Sequence, residues 1–145
     1  MTFASPRIAL MAAIIAMAGL AATAPAQAQS AEQMVGRWGL ASYFREADAA
    51  KVTAAARGAC SAPYIIARGP NGGVLLNQPD DPGKSEHVIK QGWGGTTYVG
   101  PEGEAGGARD RAFLAFEPGR FVLRWVDPTV ANRYGVMVFM RCGGR

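Results

Sequence analysis

The 145-residue sequence has one histidine and two cysteines, and charged residues make up only 18% of it. Each scarcity excludes a class of chemistry. A zinc site draws three or four ligands from Cys, His and carboxylates. With His87 alone, and with both cysteines expected to pair with each other, neither a metal nor a cofactor is expected. There is no Cys-x-x-Cys spacing to make a dithiol redox centre. No stretch clusters four or more Lys or Arg and the formal net charge is +4, so the basic stripe of a nucleic-acid binder is missing. Gly92-Trp93-Gly94-Gly95 is glycine-rich, but a phosphate cradle needs a helix to follow it, and a strand is expected there instead. Internal repeats, coiled-coil heptads and βαβ alternation are also absent.

What is present begins with a leader. Arg7 precedes an apolar run from Ile8 to Ala24, and Ala26-Gln27-Ala28 places small residues where a signal peptidase reads. The run is about 17 residues, at the short edge of a bilayer span. Residues 1–28 are therefore expected to be a signal peptide, with residues 29–145 a single domain, periplasmic or secreted and without stable membrane insertion after cleavage. No Cys stands at the junction and no Arg-Arg pair precedes the run, which argues against lipidation and the twin-arginine route. In an oxidising compartment Cys60 and Cys142 are expected to form a disulfide. Closing a loop of about 82 residues contributes roughly 4–5 kcal/mol in the chain-entropy model.

Strand signals dominate the rest. Val35 to Phe44 alternates, with Trp38, Leu40 and Phe44 on one face and Arg37 and Tyr43 on the other. Glu46 to Arg57 is alanine-rich with acidic residues first and Arg57 last, and predicts one helix stopped by Gly58. Tyr64 to Arg68 and Val74 to Asn77 flank a dense turn signal and form a hairpin. Glu86 to Lys90 and Thr96 to Val99 form another, and Ala112 to Glu117 and Arg120 to Val126 a third around Pro118-Gly119. Gly100 to Asp110 is expected to be a mobile loop, Asp127 to Arg133 a second loop, and Tyr134 to Cys142 the last strand. Phe121, Leu123 and Trp125 face one way and Val122 and Val126 the other, so both faces need cover; the alanine-rich helix is one candidate for it and a partner protein the other. The expected fold is mainly β: a small antiparallel barrel or meander of about eight strands, with one short helix after the first strand.

Gly36-Arg37-Trp38 in the first strand resembles the Gly-x-Trp motif that opens lipocalin-like (calycin) barrels, a group that includes bacterial inhibitors of secreted metalloproteases. The resemblance implies that Trp38 plugs one end of the barrel, with Arg141 packed across it and Gly36 in a structural role. The chain is also similar to small exported proteobacterial proteins that carry no assigned activity.

No catalytic constellation stands out. His87, between Glu86 and Val88, reads as a surface histidine, and Asp110, between Arg109 and Arg111, as part of a surface charge cluster. Asp80-Asp81 and Glu102-x-Glu104 read as solvated loop charges. Most aromatic residues are expected in the core. Trp93 and Tyr98 flank a tight turn beside the glycine-rich loop and are the candidate ligand-binding residues. The expected function is a non-enzymatic binding or interaction module of the cell envelope, taking a small apolar ligand or a protein partner, protease inhibition being one form. A hydrolase using loop carboxylates such as Asp80, Asp81 or Asp127 is the first alternative. A structural protein that binds its own kind through the two-sided strands is the second.

Overall fold

A computed structural model describes residues 29–143; the expected signal peptide, residues 1–28, lies outside the described residues. Eight antiparallel strands close into a barrel in simple sequence order: β1 (Gly36–Tyr43), β2 (Tyr64–Arg68), β3 (Val74–Asn77), β4 (Lys84–Gln91), β5 (Thr97–Gly100), β6 (Arg111–Glu117), β7 (Arg120–Trp125) and β8 (Val136–Arg141). Closure comes from the pairing of β1 with β8, from Trp38 opposite Arg141 to Tyr43 opposite Val136. It leaves no free sheet edge. The expected mainly-β fold with about eight strands is the fold observed. Helix α1 (Ala31–Met34) precedes the barrel, α2 (Ala49–Gly58) follows β1, and α3 (Pro128–Tyr134) joins β7 to β8. Among the described residues no helix is long and apolar enough to cross a membrane.

Period-two alternation decides what each strand points inward. Trp38, Ile66, Val74, Leu76, Val99, Phe121, Leu123, Trp125 and Phe139 make one buried cluster in the barrel. On β6 the register slips between Phe113 and Ala115. That bulge lets both Phe113 and Phe116 pack on the core, while Leu114 is left exposed.

The outer face of β1 and β8 is covered by α2, which also reaches Val122 of β7. Ala56, Val122 and Val138 form a second buried cluster with Val52, Tyr43 and Val136 around it. Close approach is possible because both partners are small: a Cβ added at Gly39 would overlap the Ala56 carbonyl oxygen. The disulfide Cys60–Cys142, 82 residues apart in sequence, then ties the end of this helical segment to the residue after β8.

Four local expectations are corrected. Gly58 does not stop the helix; its φ of −74° is helical, and the chain continues as a 3-10 turn over Ala59–Ser61. Asp127 to Arg133 is helix rather than loop, because the Asp127 carboxylate accepts hydrogen bonds from the Thr129 and Val130 amides and Pro128 occupies the first turn. Phe44 leaves the sheet after β1 and is exposed. The Gly100 to Asp110 loop is tied down: the Asp110 carboxylate accepts from the Gly106 and Gly107 amides, and the Lys90 ammonium donates to the carbonyls of Pro101 and Glu104.

Candidate functional site

One end of the barrel is sealed. Trp38 lies edge-on to Phe121 at 4.5 Å, and Phe121 stacks on Phe139 at 4.4 Å. The Trp38 indole donates to the Met34 carbonyl at 2.7 Å, which draws α1 over the opening. Arg141 places its guanidinium 4.3 Å from the Trp38 ring and donates to the carbonyls of Gln33 and Val35. Gly36 sits beneath that guanidinium with φ of 144°, where a side chain would be strained and would also overlap Arg141.

The other end is open. A cavity of about 400 Å³ enters the barrel there. Its walls are Leu40, Leu76, Leu123, Met137 and Phe139 from the strands and Tyr134 from α3; its rim is the β3–β4 loop, from Gln78 to Pro82. Two polar features stand against this apolar lining. Arg111, only 6% exposed, lies with its guanidinium 4.0 Å from the Trp125 ring and donates to the Asn77 carbonyl. Burial lowers its pKa to about 10, so it still carries its charge at neutral pH. The Trp125 indole N–H is buried and finds no acceptor among the described residues.

Beneath the rim lies His87, corrected here from a surface residue to a wholly buried one. Its strand puts it on the inward face opposite Val74. Nδ1 lies 2.8 Å from the Ser85 carbonyl and so carries the proton, leaving Nε2 to accept from the Gln78 amide at 2.6 Å. Burial, aided by the charges of Arg111 and Lys90, pushes its pKa down to about 4; the Ser85 bond and Asp110 oppose the shift. Gln78 Oε1 is left buried without a donor among the described residues. Asp110 is likewise corrected from a surface charge to a buried one outside the barrel interior, beneath the loop that precedes it: it is 1% exposed and pairs with Lys90 at 2.7 Å. Arg109 and Arg111 do not share this pair; the next residue on β6 points to the other face, which sends Arg111 inward.

The residues chosen from sequence fall elsewhere. Trp93 is fully exposed in the β4–β5 turn, at the sealed end, and Tyr98 packs over Gly92 on the outside of β5; neither lines the cavity. The loop carboxylates do not converge: Asp80 pairs with Arg133 at 2.7 Å, Asp81 accepts from the Gly83 amide, and Asp127 caps α3. Arg111, Gln78 and Trp125 were missed as a group. The available signal was a lone arginine opening an apolar strand, with strand parity aiming it inward.

A closed eight-stranded antiparallel barrel, plugged at one end and open at the other, is consistent with a lipocalin-like fold. No family model, no curated protein and no solved structure matches the chain.

Proposed function

We propose that this chain is a non-enzymatic exported binding module that takes a small apolar ligand into the open end of its barrel. The cavity carries the reading: about 400 Å³ falls within the size range of small-ligand sites, which are concave, mostly apolar and furnished with a few placed polar groups. The loop carboxylates are engaged in a cap, an ion pair and a turn, which favours binding over hydrolysis. Because Ala56 of α2 packs with Val122 of β7 and Val138 of β8, the outer apolar residues of these two-sided strands are buried within the chain itself. The disulfide fits the periplasm or the exterior, where such bonds persist.

N-phenyl-1-naphthylamine, a neutral probe that brightens in apolar surroundings, tests this. Titration at micromolar concentration should give saturable enhancement, and Leu40→Trp, which fills the cavity from a half-buried position, should abolish it while leaving cooperative unfolding intact. Absence of saturable enhancement with the native chain would end the reading.

A second reading has one observation behind it: Trp93 is fully exposed on a turn at the sealed end. That exposure supports docking of a protein partner, and the lipocalin-like resemblance suggests a secreted metalloprotease. Inhibition by the purified chain that is lost in Trp93→Ala supports it; an uninhibited panel of such proteases removes it.

A further inference from the structure

Among the described residues, the charge inside the barrel has no counter-charge. No carboxylate lies within ion-pair distance of Arg111 among the described residues; its sequence neighbour Asp110 is turned outward and committed to Lys90. Among the described residues, one of the guanidinium's five N–H donors has an acceptor, the Asn77 carbonyl. The face of Trp125 offsets part of the cost of burial but accepts no hydrogen bond in the ring plane. A buried cation without a partner is costly and persists where something compensates it. Among the described residues, Trp125 adds an unpartnered N–H, against a single orphan acceptor, Gln78 Oε1. Arg111, Trp125 and Gln78 all line the same cavity, so this polar cluster is rich in donors and positively charged, while the wall facing it is hydrocarbon.

We propose that the cavity binds amphiphiles with a single anionic head, a carboxylate seated on the Arg111 guanidinium and its alkyl chain lying among Leu40, Leu123 and Met137. This rests on the cavity-binding reading above and narrows it. The planar fork of Arg matches a carboxylate through two parallel N–H···O bonds. A neutral alcohol of the same length offers one uncharged acceptor and no counter-charge. The rim carries two carboxylates: Asp80 is paired with Arg133, while Asp81, among the described residues, accepts only from the Gly83 amide, so an entering anion passes one unpaired rim charge before it reaches the guanidinium.

Decanoate and 1-decanol, each below the concentration at which it self-assembles, compete with N-phenyl-1-naphthylamine on the intact disulfide-bonded chain. Decanoate is expected to displace the probe at a concentration ~10-fold or more below that of decanol, the scale of a charge-assisted bond in a dry site. Arg111→Met should erase or invert that preference while the probe still binds. If the variant does not fold, Trp125→Phe serves: it should weaken decanoate several-fold and leave decanol unchanged. Equal displacement by the two ligands on the native chain, or a decanoate preference that survives Arg111→Met, overturns the anionic-head proposal and leaves apolar binding standing. A native chain that binds neither probe nor ligand overturns both.

Discussion

Lowering the pH should destabilise this protein through one residue, His87. In the native state the imidazole is wholly buried, donates from Nδ1 to the Ser85 carbonyl and accepts at Nε2 from the Gln78 amide. A second proton would have to replace the Gln78 bond and put a cation near Arg111 and Lys90, with Asp110 the one nearby group of opposite sign. Its pKa is accordingly lowered from 6.5 to about 4, whereas in the unfolded chain it returns to about 6.5. Between these values the unfolded chain binds the proton and the native chain does not, so stability falls as pH falls. The loss amounts to about 2 kcal/mol by pH 5 and about 3 kcal/mol by pH 4, relative to neutral pH. Urea unfolding of the oxidised chain from pH 7.5 to 4 measures it, with His87→Gln as the reference that cannot titrate. At neutral pH the variant should be less stable by about 1–2 kcal/mol, the scale of an impaired buried hydrogen bond. The gap should narrow below pH 6 and vanish or reverse by pH 4, because carboxylate titration is common to both proteins. A gap that stays constant across the range would refute the burial argument.

Other outcomes follow from the same geometry. Replacing both cysteines by alanine should cost roughly 4–5 kcal/mol in urea unfolding, if constraint of the unfolded chain over 82 residues is the dominant effect. Asp110→Asn should cost roughly 3–5 kcal/mol, since it leaves the Lys90 ammonium, with a side chain only 10% exposed, without its counter-charge. Gly39→Ala should cost about 1–3 kcal/mol by forcing α2 away from β1, visible as a lower midpoint at unchanged denaturant slope. Trp93→Ala should leave the midpoint within about 0.5 kcal/mol of the native value, because its side chain is fully exposed.

The barrel was legible because its signals are local. Alternation in β1 and β7 and the turn residues between hairpins specify strands and their order, and closure follows once eight of them meander. What failed locally failed for identifiable reasons. Asp127-Pro128-Thr129 looks like a loop opening, yet an Asp cap with Pro in the first turn is also a helix start, and Gly135 ends that helix. His87 was judged by its charged neighbour, when parity puts it on the same inward face as Ile89. Asp110 and Arg111 are adjacent charges that composition alone does not separate, while strand parity sends one outward to Lys90 and the other inward to Trp125. The cavity was illegible for a different reason. Its polar cluster gathers Gln78, Arg111 and Trp125 from three places that only the closed register brings together. Trp93 and Tyr98 drew attention by composition, and composition does not say which end of a barrel a turn occupies.

The two ends of the barrel are built on opposite principles, and the difference bears on what the protein can hold. At the sealed end the cation over tryptophan is satisfied: Arg141 donates to two carbonyls and its indole partner donates to a third. At the open end the same pairing, Arg111 over Trp125, is left with donors to spare. Both arrangements use the aromatic face to make a half-desolvated guanidinium tolerable. Only the second retains unspent hydrogen-bonding capacity next to empty apolar volume. The Phe113, Phe116, Phe121 and Phe139 rings occupy the sealed half, so an entering chain cannot run the length of the barrel. On the proposed reading, a ligand would be short and its head would stay near the rim beside Arg111. Chain-length dependence should therefore be steep: lengthening an alkyl carboxylate beyond what about 400 Å³ accommodates should stop adding affinity, because further carbons remain in water. Affinity that kept rising by the full increment per methylene from decanoate to hexadecanoate would mean that the aromatic plug yields, and that the sealed end is not the rigid floor these contacts describe.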